Sequence, residues 1–295
     1  MHNELLLYFM FIISMFKKCI LIITLLSSIC IGAQAYKSDS LRGSFTYLLK
    51  SKPNNLYPEN IYQELFSLQV SDNRSFFISE NLLKYDSIFT NEMNTAIRSG
   101  SKSVNFSGKS FPKTNSKFLI VQENDKTIFY GTVGTSVLSY HESKINSWKL
   151  VDETKLVNSF SCKKAELRFK GRDWIAWYSA EIPFPYGPYK FGGLPGLIIK
   201  MTDKKGEYDF ELVKSLPSRD LKGKIVGINK KRYDNSISVT KQELEVAKDS
   251  FRKNLLQSMK NDGVVLSPEQ TTALREKQKR DELKKKGYNP IELEN

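Results

Sequence analysis

Apolar and polar residues alternate along much of the chain. Tyr208-Asp209-Phe210-Glu211-Leu212-Val213 sets apolar against acidic side chains by turns, the pattern of a strand with one wet face. Residues 45–49, 64–70, 75–79, 117–122, 127–133, 165–169, 174–179, 197–201 and 224–228 are rich in aromatic and β-branched residues and also read as strands. Between them, Leu82, Leu83, Tyr85, Ile88, Met93 and Ile97 predict a short helix within 81–99. Most gaps between strands are too short for crossover helices, so the sheet is expected to be antiparallel. The expected fold is mainly β. It is a single large, curved antiparallel sheet over 36–235, half-barrel-like by fold analogy, with one internal helix.

The pattern changes after residue 235. Thr240-Lys241-Gln242-Glu243 is a capping box, and Leu244, Ala247, Phe251, Leu255 and Met259 recur on one helical face. Gly263 is the expected stop. Ser267-Pro268-Glu269-Gln270 starts a second helix, which becomes almost wholly charged from Glu276 to Lys286 and ends at Gly287. Lacking an apolar stripe, that helix is expected to be solvated or to bind another surface. Residues 236–295 thus read as a helical, charged C-terminal extension.

At the other end, apolar runs at 5–15 and 19–31 flank Lys17 and Lys18. The basic pair, the 13-residue second run and Ala33-Gln34-Ala35 together read as a cleavable export signal over 1–35, with Met15 an alternative start. The competing reading is a retained anchor over 5–31. Cys30 lacks the flanking residues of a lipidated cysteine. The expectation is a mature chain from Tyr36 without a stable membrane span. It would be periplasmic, outer-membrane associated or secreted.

Composition then excludes classes rather than choosing one. A 40% hydrophobic fraction is too high for a wholly disordered chain, and three cysteines are too few for a disulfide scaffold. Cleavage would remove Lys17, Lys18 and Glu4, so 45 basic and 32 acidic residues become 43 and 31, and the net charge falls from +13 to +12. Only Cys162 would remain, either a buried small apolar residue or a free thiol. Lys102, Lys109, Lys113 and Lys117 lie in a stretch free of acids from Ser101 to Gln122, and bases outnumber acids ten to five over 200–232. Solubility explains such charge, and so does attraction to an anionic envelope surface. No nucleic-acid motif accompanies it.

Catalytic patterns are sparse. His141 is the single histidine after residue 35, and His141-Glu142 is followed by Ile145 where a zinc-protease helix needs histidine. A polar turn accounts for it. A Cys162/His141 nucleophilic pair has no local support. Gly108-Lys109-Ser110 ends like a phosphate loop, yet Ser103 stands where that loop needs glycine. No dinucleotide fingerprint or nucleophile elbow occurs, so no cofactor or metal is expected. Asp173, Glu181 and Asp203 are the carboxylates nearest the distinctive loop, and two of them would serve an acid–base hydrolase of peptide or glycan.

The distinctive loop is 183–196. It holds four of the ten prolines and also Gly187, Gly192, Gly193 and Gly196, interleaved with Phe184, Tyr186, Tyr189 and Phe191. Pro and Gly exclude regular structure, while the rings argue against disorder. Leu194-Pro195-Gly196-Leu197 predicts a type II turn launching a strand. Two readings stay open: a turn with rings that close the sheet, or an exposed binding groove of Trp174, Trp177, Tyr186, Tyr189 and Phe191.

Gly193-Leu194-Pro195-Gly196-Leu197-Ile198 resembles the motif that names the GLPGLI family. The likeness extends through Cys162-Lys163-Lys164-Ala165, Gly171-Arg172, Trp174-Ile175-Ala176-Trp177-Tyr178, Glu181-Ile182-Pro183 and Gly187-Pro188-Tyr189-Lys190-Phe191. Asp86-Ser87 and the ending Asn289-Pro290-Ile291-Glu292-Leu293 also look like that family. The resemblance implies an exported protein of Gram-negative bacteria, often associated with outer-membrane receptor systems. It implies no established activity and no catalytic residues. The expected function is a non-enzymatic envelope accessory that binds a protein partner, such as an outer-membrane receptor, or an anionic or apolar envelope ligand. The alternatives are the carboxylate hydrolase and a purely structural accessory.

Overall fold

In the computed structural model of the chain, residues 39–261 and 265–294 are described. The expected export signal over 1–35 and Gly263 lie outside them. Residues Ser40–Asn295 form one unit. In chain order it holds β1 (Gly43–Ser51), β2 (Tyr62–Val70), β3 (Arg74–Ser79), α1 (Glu80–Arg98), β4 (Phe118–Glu123), β5 (Lys126–Val133) and β6 (Ser136–Ser143). There follow β7 (Lys149–Val157), β8 (Phe160–Phe169), β9 (Arg172–Ser179), β10 (Leu197–Asp203), β11 (Tyr208–Ser215) and β12 (Ile237–Ser238). The helices α2 (Lys241–Lys253), α3 (Leu255–Asn261) and α4 (Pro268–Lys284) close the order.

All twelve strands join one sheet in the order β12-β6-β5-β4-β3-β2-β1-β11-β10-β9-β8-β7. Two antiparallel meanders, β1 to β6 and β7 to β11, are zipped together where β1 pairs with β11. The mainly β, antiparallel expectation is met, except that the two-residue β12 pairs parallel with β6.

One short connection sets the curvature. β6 and β7 lie ten strand-steps apart, about 48 Å if the sheet were flat. Only residues 144–148 join them, a reach of roughly 20 Å even when extended. The sheet must therefore curl until its two ends approach, without hydrogen bonding to each other. Tyr47, Phe66, Phe77, Trp174 and Phe210 are fully buried in the core of the curl. A smaller second core of Phe76, Ile78, Leu119, Val121 and Ile228 receives Leu82 of α1.

Several elements depart from the sequence reading. β6 and β7 carry polar and charged residues typical of strands near an edge, and their pattern hid them. His141 is accordingly a strand residue opposite Ile128, not part of a turn. Residues 224–228 form no strand; Ile225 makes a single bridge to Ser40, and Ile228 anchors the second core. α1 runs for 19 residues, capped by the Ser79 hydroxyl. The apolar face expected after Thr240 is split at Asn254 into α2 and α3. Both predicted capping boxes, at Thr240 and Ser267, are formed.

Candidate functional site

The 183–196 loop lies over the opening between the two ends of the curl. Proline and glycine deny it a ladder, so its polar backbone groups find other partners. Gly193 N donates to Pro185 O at 2.9 Å, and Ile198 N donates to Tyr186 O at 3.0 Å. Gln122 Nε2 of β4 donates to Phe191 O at 3.2 Å, and Trp148 Nε1 of the 144–148 connection donates to Gly192 O at 2.9 Å. The loop therefore contacts both meanders.

Leu194-Pro195-Gly196 turns more tightly than the expected type II turn. Gly196 N donates to Leu194 O at 2.8 Å, two residues back, and Gly196 has φ +146°. Leu194, Leu197 and Ile198 are buried, while Gly193 and Pro195 are exposed. A Cβ on Gly196 would stand 2.2 Å from Ser179 O, because the turn runs against the end of β9. The family-motif turn is thus a close backbone crossing that launches β10.

The five aromatics do not line one exposed groove. All are buried. Strand alternation and register put Trp174 on the core face opposite Leu167, and Trp177 on the other face opposite Lys164. There the Lys155 ammonium covers Trp177, 3.8 Å from the ring centre. Phe191 packs 4.7 Å from Trp174 and 5.6 Å from Phe169, and Tyr189 packs 6.1 Å from Phe118. Apolar area drives Trp174, Tyr189 and Phe191 inward, so they close the core rather than present it, while Trp177 is buried under Lys155. Among the buried side-chain nitrogen and oxygen atoms of the described residues, the Trp174 indole N–H alone has no hydrogen-bond partner.

Two buried cations organise the site. Lys190, 2% exposed, has its ammonium 2.5 Å from Glu142 of β6, 2.6 Å from Glu292 and 3.0 Å from the Tyr140 hydroxyl. Lys241 of α2 holds the other Glu292 oxygen at 2.6 Å, and the Tyr189 hydroxyl donates to Glu292 at 2.6 Å. Tyr189 sits at φ +55°, a strained conformation for a bulky residue that its surroundings must hold in place.

Arg172, at the start of β9, is the second cation. It pairs with Asp203 at 3.1 Å and Glu207 at 2.5 Å. Its other nitrogens donate to Asn289 Oδ1, to Pro290 O at 2.7 Å and to Ile291 O at 3.1 Å. Asn289 N donates to Pro53 O, Leu293 N donates to Lys170 O, and the Tyr208 hydroxyl donates to Asn289 O. The ending Asn289-Pro290-Ile291-Glu292-Leu293 is thus a strap, buried at Asn289, half-buried over 290–292 and exposed at Leu293. It lies beside the loop, gripped by a guanidinium near one end and an ammonium near the other. Sequence reading singled out the residues around Arg172 and Lys190 but not this contact. The available signal was the lone Lys190 between Tyr189 and Phe191, since buried charges require partners; Arg172, with Lys170 and Asp173 beside it, gave none.

The strap carries a pH signature. Burial would raise the Glu292 carboxyl, but the Lys190 charge and hydrogen bonds from Lys190, Lys241 and Tyr189 hold it down to about 2. An unfolded glutamate titrates near ~4.3, so the unfolded chain binds that proton more readily. The contribution is complete above that value and is lost as pH falls toward 2. Glu292→Gln is expected to lower Tm at pH 7, with the gap to wild type narrowing between pH 5 and pH 2. Melting curves across that range check this, and a pH-independent gap contradicts it.

The remaining candidates are scattered. Asp203 is locked to Arg172, Asp173 is exposed beside Arg168, and exposed Glu181 accepts from Ser161 N. Asp203 pairs with Trp174, and five strand residues, roughly 16 Å, separate Trp174 from Ser179, where the turn carrying Glu181 begins. That is far beyond the separation at which two carboxylates share a glycosidic bond. Cys162 is buried, and burial pushes its thiol up to about 11, leaving it protonated at neutral pH. Gly108-Lys109-Ser110 is an exposed loop. Among the described residues no three His, Cys, Asp or Glu side chains gather to hold a metal, and no helix is long and apolar enough to cross a membrane.

Residues 168–200 match a family described as "Protein of unknown function (Porph_ging)". That stretch takes in Arg172, Trp174, Lys190 and the Gly196 turn. No curated protein matches the chain. Two solved structures share similarity over 71% of this chain: "Structure of PNGF-II in P21 space group", 13% identical with a TM-score of 0.48, and "Structure of PNGF-II in C2 space group", 11% identical with a TM-score of 0.47. The similarity covers 33% of each of those chains, so this chain accounts for about a third of their length.

Proposed function

We propose that this chain is an exported, non-enzymatic accessory of the cell envelope, of the GLPGLI type, that binds a protein partner along the open edge of its sheet. One observation carries the reading. β7 is the outermost strand at one end, no described strand pairs with its outer side, and Leu150 and Leu156 there are 60% and 75% exposed. An edge of this kind pairs with an extended segment of another chain through main-chain hydrogen bonds. A bulge after Val151 interrupts the edge and leaves 154–157 as its regular part. Filling of the curl by Tyr189, Phe191 and the strap supports a partner at the surface over an apolar ligand held inside. The wide separation of Glu181 and Asp203 weighs against the hydrolase.

The test is capture from envelope extracts with the tagged chain, wild type against Leu150→Lys/Leu156→Lys. One envelope protein is expected to co-purify in near-stoichiometric amount and to be lost at least tenfold with the double variant at unchanged Tm. Equal capture by both proteins, or no specific protein with either, overturns the reading.

A further inference from the structure

A second surface lies on the other side of the molecule's chemistry, where α1 meets the 99–117 segment. Leu82 faces the second core, while Tyr85 and Phe89 remain 37% exposed. Each contacts one ring of the following segment. Tyr85 lies 4.8 Å from Phe111 and 6.3 Å from Phe89, Phe89 lies 5.4 Å from Phe106, and Phe106 lies 5.6 Å from Phe111. The four rings make a closed circuit outside both cores. Ile97, on the last turn of α1, is 70% exposed.

Charge around these rings is one-sided. Residues 80–117 contain Glu80, Asp86 and Glu92 against Lys84, Arg98, Lys102, Lys109, Lys113 and Lys117. Two of the acids are ion-paired, Asp86 with Arg232 and Glu92 with Lys109 at 2.6 Å, and Glu80, which accepts from the Thr46 hydroxyl, is the one acid left to offset the cations. Lys84, Arg98, Lys102, Lys113 and Lys117 are exposed and form no ion pair among the described residues. Exposed rings with an excess of cations suit the boundary of a lipid layer, where rings sit at headgroup depth and each cation near an anionic surface adds to the attraction.

We infer that this aromatic and basic face docks the protein on an anionic lipid surface. The inference is independent of the β7 edge. If the rings only pin the segment to α1, lipid charge will not matter to the protein.

The experiment is co-sedimentation of the full chain with vesicles of phosphatidylcholine alone and of equal parts phosphatidylglycerol and phosphatidylcholine. The readout is the ratio of the two partition coefficients, because any contribution of residues 1–35 is common to wild type and variants. For wild type the ratio is expected to exceed tenfold at low salt and to fall steeply by 0.5 M salt. Lys102→Glu/Lys113→Glu/Lys117→Glu is expected to bring it close to one with Tm unchanged. Tyr85→Ser/Phe89→Ser is expected to weaken partitioning to anionic vesicles while leaving the salt dependence in place. Inorganic phosphate at millimolar concentration is expected not to displace the protein. A wild-type ratio near one, a charge variant that keeps the ratio, or displacement by free phosphate overturns the proposal.

Discussion

Arg172→Ala is expected to cost about 3–5 kcal/mol and to lower Tm by roughly 10 °C or more. The loss follows from what the guanidinium leaves behind. Asp203 is buried and Glu207 partly so, and both lose their cation. Asn289 Oδ1 and the carbonyls of Pro290 and Ile291 lose their donors at the same time. A buried pair broken on one side costs far more than an exposed pair, because the surviving charge has no water to turn to. Arg172→Lys keeps the charge and loses the fork, so it should fall between wild type and alanine. Asp173→Asn, one residue away on the exposed face beside Arg168, should shift stability by less than about 0.5 kcal/mol. Thermal melting of the three variants checks the order, and equal effects for Arg172→Ala and Asp173→Asn contradict it.

Gly196→Val is the second large effect, about 3 kcal/mol or more, with reduced yield of folded protein. Two penalties combine. The backbone stands at φ +146°, where a β-branched residue is strained, and the new Cβ would lie 2.2 Å from the Ser179 carbonyl oxygen. Backbone cannot yield as a side-chain end can. Gly206→Ala separates the two penalties. Gly206 also has positive φ, at +65°, but nothing lies within 4 Å of an added Cβ, so only the conformational cost of about 1 kcal/mol remains. Chemical denaturation of both variants measures the difference. Comparable losses at the two glycines would remove the crowding argument.

Much of the sheet was legible because its central strands carry the pattern that burial on one face requires. β1, β2, β10 and β11 sit mid-sheet, and each was read within a few residues of its limits. β7 was not, because an edge strand of sequence KLVDETKLV has little to bury. Residues 224–228 misled for the opposite reason: Ile225, Val226 and Ile228 look like a strand, yet only Ile228 is buried, as a loop anchor. The loop's rigidity could be read from its prolines and rings, and its burial from neither. Ring-rich loops either bind or plug, and the choice depends on what lies across from them. Here that is β6 and the tail, about 50 and 100 residues away in sequence. No local pattern reports such contacts, and Lys190, alone among the rings of the loop, is the only local hint of a buried partner.

The central claim is that the Pro/Gly/aromatic loop and the C-terminal strap form one interlocked unit that holds the two ends of the curled sheet. Native-state hydrogen exchange tests it directly and needs no substitution. Asn289 N donates to Pro53 O and Leu293 N donates to Lys170 O, each at 2.9 Å. These two amides are expected to exchange as slowly as those of β1 and β11, through global unfolding. Exchange at the rate of a free chain end would show that the strap does not hold, and would contradict the account.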